Sequence, residues 1–255
     1  MTNKQQSVAV ITGGSRGLGK SMALHLAERG VDSIITYRSG ANEANEVVAE
    51  IAKQGRKAAA LPLDAGNSAS FAAFAAGLKS QLERKWQRTS FDFLVNNAGV
   101  GAHASFAETT EAQFDELMNV HLKGPFFLTQ TLLPLIADGG RILNVSSGLA
   151  RFTFPGYAAY SSMKGGIEVL TRYLAKELGA RQISVNTLAP GAIETDFGGG
   201  AVRDNRDLNK MIASGIALGR VGLPDDIGRA VSMLLAPESA WINGQRIEVS
   251  GGQML

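Results

Sequence analysis

The chain of 255 residues contains no cysteine. Disulfides, thiol catalysis and thiolate metal sites are therefore excluded. Histidine is scarce too. His25, His103 and His121 are the only three, and their spacing matches no zinc pattern, so no metal is expected. Excess charge of one sign is also lacking. Lys and Arg number 25 against 23 Asp and Glu, a net +2 without a basic stripe, so nucleic acid is not an expected partner. No apolar run approaches the roughly 18 residues of a membrane span, and Met1-Thr2-Asn3-Lys4-Gln5-Gln6-Ser7 holds no apolar signal core. No membrane partner is expected, and a cytoplasmic location is.

What is present suits a single large domain. Hydrophobic residues make up 45% of the chain, and α/β folds of this length often form one unit. Such a domain buries about three quarters of its unfolded surface and needs no staples. Short β-branched runs alternate with longer helical patterns, which argues for a doubly wound parallel sheet. The predicted strands are Val8–Thr12, Ser33–Tyr37, Lys57–Leu61, Phe91–Asn96, Gly140–Ser146, Ile183–Leu188 and Arg246–Val249. Predicted helices begin near Gly17, Ala41, Ser68, Thr110, Gly124, Tyr157 and Pro224. The Ala-rich stretch from Ala58 to Ala76, with Phe71 and Phe74, reads as a small-residue helix packed on the sheet. Phe197–Asp207, with three consecutive glycines, reads as a mobile loop.

Two motifs carry chemistry. Tyr160 and Lys164 lie four residues apart, thirteen residues or so after Ser147. On a helix that spacing brings Cβ atoms within about 5–6 Å, and an ammonium beside a phenol is expected to lower the phenol's pKa. Ser147 can offer a hydroxyl to the same oxygen. Near the N-terminus, Val8–Ile11 runs into Thr12-Gly13-Gly14-Ser15-Arg16-Gly17-Leu18-Gly19 and then a helical pattern with Leu18, Met22, Leu24 and Leu26 apolar. A strand, glycine turn and helix in this order let backbone approach a pyrophosphate at a helix N-terminus. The spacing is Gly-x-x-x-Gly-x-Gly, not Gly-x-Gly-x-x-Gly.

Together these residues resemble the short-chain dehydrogenase/reductase family, essentially end to end. Asn96-Asn97-Ala98-Gly99, Asn119 and Pro190-Gly191-Ala192-Ile193-Glu194-Thr195 extend the match. The resemblance implies a Rossmann-type α/β sheet of about seven strands in one NAD(P)-binding domain over 1–255, with a substrate lid near 192–215. It implies reversible hydride transfer between a nicotinamide cofactor and a small-molecule carbonyl or alcohol. Asn119, Ser147, Tyr160 and Lys164 would be catalytic. Gly13, Ser15, Arg16, Gly17, Leu18, Gly19, Tyr37, Arg38, Ser39, Asp64, Ala65, Asn96, Ala98, Gly99, Tyr160, Lys164, Pro190, Gly191, Ile193 and Thr195 would bind cofactor. The family often forms tetramers through long central helices, here near Thr110–Leu135 and Tyr157–Gly179, so a homotetramer or homodimer is expected.

The cofactor choice follows from the end of the second strand. NAD sites usually place an acid there for the ribose 2′-hydroxyl. Here Thr36-Tyr37-Arg38-Ser39-Gly40 has none, while Arg38 and Arg16 can grip the 2′-phosphate of NADP. NADP(H) is therefore favoured, with NAD(H) as the alternative. Candidate pocket residues are His103, Phe106, Phe152, Phe154, Tyr157 and Phe197, which hint at an apolar or ring-bearing substrate. His25 reads as structural, and His121 is expected to face away from Asn119. Ser250 stands where the family usually has Asp, at a structural turn, and Gly14 where it often has Ala. Two rival readings remain: an NAD-dependent alcohol dehydrogenase, and a non-catalytic nucleotide-binding regulator.

Overall fold

The computed structural model describes residues 6–255. Seven strands form one parallel sheet: β1 (Val8–Ile11), β2 (Asp32–Tyr37), β3 (Ala58–Pro62), β4 (Phe91–Asn96), β5 (Ile136–Val145), β6 (Ser184–Pro190) and β7 (Arg246–Val249). Their spatial order is β3-β2-β1-β4-β5-β6-β7, so the sheet grows outward from β1 and β4 in two directions. Ligands in such sheets bind beyond the carboxyl ends of the strands at that reversal.

Both faces of the sheet are covered. In β1 all four residues are buried, yet Val8 and Val10 join one core cluster while Ala9 and Ile11 join the other. This is the period-two alternation of a strand covered on both sides. One layer holds α3 (Phe71–Trp86), α5 (Gly124–Leu132) and α6 (Ala158–Glu177); the other holds α1 (Gly17–Glu28), α2 (Ala41–Lys53) and α9 (Pro224–Leu234). Each wholly buried Leu, Ile or Phe contributes about 1.5–3 kcal/mol, and Phe71, Phe91, Leu78, Leu82 and Ile34 are among them. Helices α1 and α9 pack closely at Gly228, where any Cβ would meet the Ser21 hydroxyl at 2.4 Å.

Four expectations need correction. Ala58–Leu61 belong to β3, so the Ala-rich stretch is helical only from Phe71 onward; Phe71 and Phe74 do pack on the sheet. Strand β5 starts at Ile136, four residues before Gly140, because a bulge opposite β4 lets Phe91 pair with Ile136 and Phe93 with Arg141. Gly139, with φ +76, sits in that bulge and masks the strand in the sequence. The segment Phe197–Asp207 is not a plain loop. A short 3-10 turn (Phe197–Gly200) leads into α7 (Ala201–Asp204) and α8 (Arg206–Ala213), the latter capped by the Asn205 side chain accepting from Asp207 N and Leu208 N. The long helix expected near Thr110–Leu135 is divided into α4 (Glu111–Met118), a π-type turn (Asn119–Lys123), α5 and a 3-10 turn (Leu133–Leu135).

Candidate active site

The glycine loop between β1 and α1 is built by close approach. A Cβ on Gly19 would lie 2.2 Å from the Gly13 carbonyl oxygen, and one on Gly13 would lie 3.0 Å from Ala98 Cα. A Cβ on Gly14 would lie 2.6 Å from Ile35, so Ile35 in β2 explains why Gly replaces the family's Ala here. Thr12 and Asn97 lock the loop from beneath. The Thr12 hydroxyl accepts from Asn97 N and Ala98 N, both at 2.9 Å, and Asn97 Nδ2 donates to the carbonyls of Thr12 and Gly13. The cradle that Gly13, Gly17 and Gly19 leave is side-chain-free and opens at the N-terminus of α1, which fits a dinucleotide pyrophosphate. Across the groove, a Cβ on Gly17 would come within 3.8 Å of Thr195.

The adenosine end is more open. Tyr37 ends β2 half-buried, while Arg38 and Ser39 are exposed beyond it. Ser15 faces the Gly40 backbone from the other side of that groove. Arg16 is three-quarters exposed and lies 3.9 Å from Asp196. Asp64 is exposed after β3, its carboxylate accepting from Gly66 N at 2.9 Å, with Ala65 beside it. The Asn96 side chain takes no part in lining this groove. It turns inward and donates to Asn144 Oδ1 at 2.8 Å and to Thr129 Oγ1 at 3.1 Å, so that amide is spent inside the protein. Asn97, its neighbour, is the residue that shapes the groove.

Asn96 opens a buried ladder that the sequence did not reveal. Asn144 Nδ2 donates to Thr171 Oγ1 at 2.9 Å, and Thr187 Oγ1 donates to the same atom at 2.8 Å. These bonds run across β4, β5 and β6 onto α6, and buried polar networks fix geometry, although Asn96 Oδ1 is left without a partner. They set the register of the helix that carries Tyr160 and Lys164.

Tyr160 and Lys164 are both buried on one face of α6. Ser147, at the end of β5, faces the phenol while its oxygen accepts from Leu149 N. Here one expectation fails. Burial pushes the Tyr160 phenol above its ordinary value, partly offset by Ser147, and Lys164 does not pull it down. Lys164 instead donates to the Val145 carbonyl at 2.7 Å, with its ammonium 5.5 Å from the Tyr160 ring centre. Burial lowers Lys164 to about 7. Desolvation outweighs the helical proximity of the two side chains.

Asn119 opens the π-type turn, with its carbonyl accepting from Gly124 N five residues on. The same turn brings His121 into the site, against expectation. His121 is 2% exposed, stands edge-on to Tyr160 with ring centres 5.1 Å apart, and its Nε2 lies 2.7 Å from the Val100 carbonyl. Burial, then Lys164, lowers its pKa to about 3, so it is neutral. A π turn is a common functional irregularity, but no spacing rule marks it beforehand.

The Pro190–Thr195 segment leaves β6 toward the same groove. Gly191 N donates to Val249 O, and Ile193 pairs with Gly222, where a Cβ would strike its side chain at 2.3 Å. The C-terminal residues hold this segment in place. Gln253 is buried and its Oε1 accepts from Ala192 N at 2.9 Å. Arg151, four residues past Ser147, donates to the carbonyls of Gln253 and Met254 and pairs with Glu248, whose carboxyl that hydrogen bond holds down at about 2. Ser250 bonds Glu248 and receives Gln253 N, filling the turn role expected of Asp.

An aromatic rim closes the site. His103 stands edge-on to Tyr157 at 5.1 Å, Tyr157 to Tyr160 at 6.5 Å, and Phe197 leans on Tyr160 at 5.6 Å. Phe152 lies against Gly148, and Phe106 points away at 87% exposure. His25, as expected, is structural: it lies between Glu28 and Asp225 where α1 meets α9. Among the described residues, no group of three or more His, Asp or Glu side chains is placed to hold a metal, and no helix is long and apolar enough to cross a membrane.

A buried tyrosine with serine and lysine, set beside a glycine cradle at the sheet's reversal, defines a nucleotide-dependent oxidoreductase. The family model described as enoyl-(acyl carrier protein) reductase matches residues 13–254. The tetrahydroxynaphthalene reductase PfmaG of Pestalotiopsis fici is 40% identical over 257 residues, covering 96% of this chain and 90% of its own. Among solved structures, the promiscuous reductase LugOII, which catalyses keto-reduction at C1 in lugdunomycin biosynthesis, superimposes with a TM-score of 0.93 at 36% identity, over 99% of this chain and 100% of its own. The angucycline C-6 ketoreductase LanV with bound NADP gives 0.92 at 35% identity, over 97% and 95%. The chain belongs to the short-chain dehydrogenase/reductase family. It is an oxidoreductase of the C=O/CH–OH level.

Proposed function

We propose that this protein reduces a ketone carried on an aromatic ring system to the alcohol, using NADPH. The observation that carries the reading is the buried Tyr160 phenol, faced by Ser147 and enclosed by Tyr157 and Phe197. The naphthalene reductase and angucycline ketoreductase relatives support the substrate class, and the NADP bound to the angucycline ketoreductase supports the cofactor. Arg16 and Arg38, with no acid at the end of β2, agree with a 2′-phosphate.

When bound, the reduced nicotinamide supplies the hydride. Tyr160 donates the proton. Its raised pKa keeps the phenol protonated at neutral pH, and an alkoxide is a far stronger base, so donation stays downhill. Ser147 donates a hydrogen bond that holds the carbonyl oxygen and favours its growing charge. Lys164, at about 7, is poised to pass on a proton, and Asn119 is assigned the water-mediated link to solvent. Gly13, Ser15, Gly17, Leu18 and Gly19 would cradle the pyrophosphate. Arg16, Tyr37, Arg38 and Ser39 would hold the adenosine ribose and its phosphate, and Asp64 and Ala65 the adenine. The backbone of Asn96 to Gly99 would line the middle of the groove, Tyr160 and Lys164 would meet the nicotinamide ribose, and Pro190, Gly191, Ile193 and Thr195 its carboxamide.

Residues 192–215 serve as a lid whose Phe197 reaches Tyr160. The protein assembles as a homotetramer or homodimer, for which exposed Phe114, Phe126, Phe127, Val169 and Tyr173 on α4, α5 and α6 are the support. A cytoplasmic location accords with the lack of cysteine. Fluorescence titration and steady-state kinetics test the reading together. Tyr160→Phe is expected to lose ketone reduction by at least 100-fold while binding NADPH within about threefold of the parent. Retained turnover, or tighter binding of NADH than NADPH by the parent, overturns it.

A further inference from the structure

We propose that His103 reads a phenolic hydroxyl on the substrate and so decides which aromatic ketones the enzyme prefers. The inference rests on the aromatic-ketone reading above and adds the group that selects within that class.

His103 is exposed, yet its ring is fixed. It lies on Gly156, whose φ of +88 and missing side chain make the seat: a Cβ there would meet His103 Nε2 at 2.2 Å. The ring edge is held by Tyr157 at 5.1 Å, interplanar angle 74°. The adjacent backbone is pinned as well, with Ala104 N donating to Gly156 O at 3.1 Å. Neither imidazole nitrogen makes a hydrogen bond to any described residue. A ring locked by packing with both polar atoms free is preorganised to bond something else.

Its surroundings define what that is. Tyr157 packs against both His103 and Tyr160, so the imidazole is linked to the proton donor through one shared aromatic ring. The rest of the rim is Phe197, leaning on both Tyr160 and Gly101. The two cations nearest Tyr160 and Ser147 are already engaged. Lys164 is buried on Val145 O, and Arg151 is spent on Glu248, Gln253 and Met254. An aromatic rim of this kind takes a flat ring system, with a polar group of its own at the imidazole. An imidazole offers one donor and one acceptor, which a phenolic hydroxyl matches in either sense.

The test compares α-tetralone with its monohydroxylated derivatives, all with NADPH. The readout is the ratio of kcat/KM for the hydroxylated ketone to that for the parent ketone within one enzyme, so a general loss of activity cancels. In the natural protein at least one derivative is expected to be preferred by roughly 3- to 10-fold, the worth of one neutral hydrogen bond. His103→Phe keeps a ring on Gly156 and is expected to erase the preference through KM, whereas His103→Gln, which keeps a donor and an acceptor, is expected to restore most of it. A preference that survives His103→Phe overturns the assignment, as does turnover of the whole series without preference. Absence of turnover with any tetralone, despite NADPH binding, sinks the aromatic-ketone reading and this assignment with it.

Discussion

The chain has two glycine-rich stretches at its site, and they use glycine for opposite reasons. In the loop Thr12–Gly19 the missing side chains make room: atoms of Ile35, Ala98, Asn97 and the Gly13 carbonyl occupy the places where Cβ atoms would be. In Phe197–Gly200 a Cβ on Gly198 or Gly199 would meet nothing within 4 Å, and both adopt left-handed φ, +62 and +74. The first loop is a packed cradle in which a methyl group on Gly14 or Gly19 has nowhere to go. The second is open at Gly198 and Gly199, where only the backbone conformation demands glycine. Sequence alone reads both as glycine turns; what distinguishes them is the wall of β2 and β4 behind the first. One stretch therefore suits a ligand held at fixed distance, and the other a lid that must move.

The largest effect is expected where the packed cradle is broken. Gly19→Ala would place a methyl 2.2 Å from the Gly13 carbonyl and 2.7 Å from Asn97 Nδ2, both of them parts of the locked loop. Relief requires the helix start to move away from β1. NADPH affinity is expected to fall at least 100-fold, with a melting temperature several degrees lower, since overpacking costs about 1–3 kcal/mol. Cofactor titration with a thermal melt checks it. Near-normal affinity would mean the loop is as yielding as the lid.

The same contrast explains how much could be read in advance. The order of strands and helices was legible because runs such as Val8–Ile11 and Phe91–Asn96 are mostly buried and show as short apolar stretches. Tyr160, Lys164 and Ser147 were legible because helical spacing and a strand end bring them together. Three kinds of feature were not. Local geometry hid the start of β5 behind Gly139, and hid His121 within a π turn. Burial reversed the expected pull of Lys164 on Tyr160, because periodicity carries no dielectric. Long-range ties were silent: Gln253 to Ala192, Arg151 to the C-terminal carbonyls, and the Asn96–Asn144–Thr171–Thr187 ladder join residues far apart in the chain.

A second prediction sharpens the packed side through its buried titrating groups. His121 has a folded pKa of about 3, against about 6.5 unfolded. Between those values the unfolded chain binds the extra proton, so stability is present above pH 6.5 and is lost as pH falls toward 3. At pH 4 the loss is on the order of 3 kcal/mol. His121→Asn gives up the bond to Val100 and is less stable at pH 8, but it lacks the proton linkage. The gap between the two proteins in urea midpoints is expected to shrink, or to reverse, on going from pH 8 to pH 4. A constant gap would show that His121 is not desolvated as the fold places it.

The open side is expected to respond more mildly. Gly199→Ala meets no atom, so its cost is the left-handed backbone alone, about 1–2 kcal/mol. That penalty falls on the conformation that brings Phe197 against Tyr160, and not on the cradle. A roughly 5- to 10-fold loss in kcat/KM for the ketone is expected, with NADPH affinity changed less than twofold. Stopped-flow cofactor binding beside steady-state ketone kinetics separates the two. An equal loss in both quantities would mean that the lid and the cradle move as one body.

The smallest effect is expected at the point where the two stretches meet. Arg16 of the cradle lies 3.9 Å from Asp196 at the foot of the lid, and Asp196 is already paired with Arg203. The Arg16 and Asp196 side chains are 75% and 46% exposed, and exposed ion pairs are worth little. Asp196→Asn removes a negative charge from beside the arginine assigned to the 2′-phosphate, so NADPH affinity is expected to rise by about twofold at low ionic strength. The gain should vanish in about 1 M salt, where the screening length is roughly 3 Å. NADH, which lacks that phosphate, should be unaffected at either ionic strength. Titration of both cofactors at both salt concentrations decides the matter. A tenfold weakening of NADPH instead would make the Arg16–Asp196 pair a clasp across the groove, and the packed cradle and the open hinge would then have to be treated as a single cofactor-closing unit.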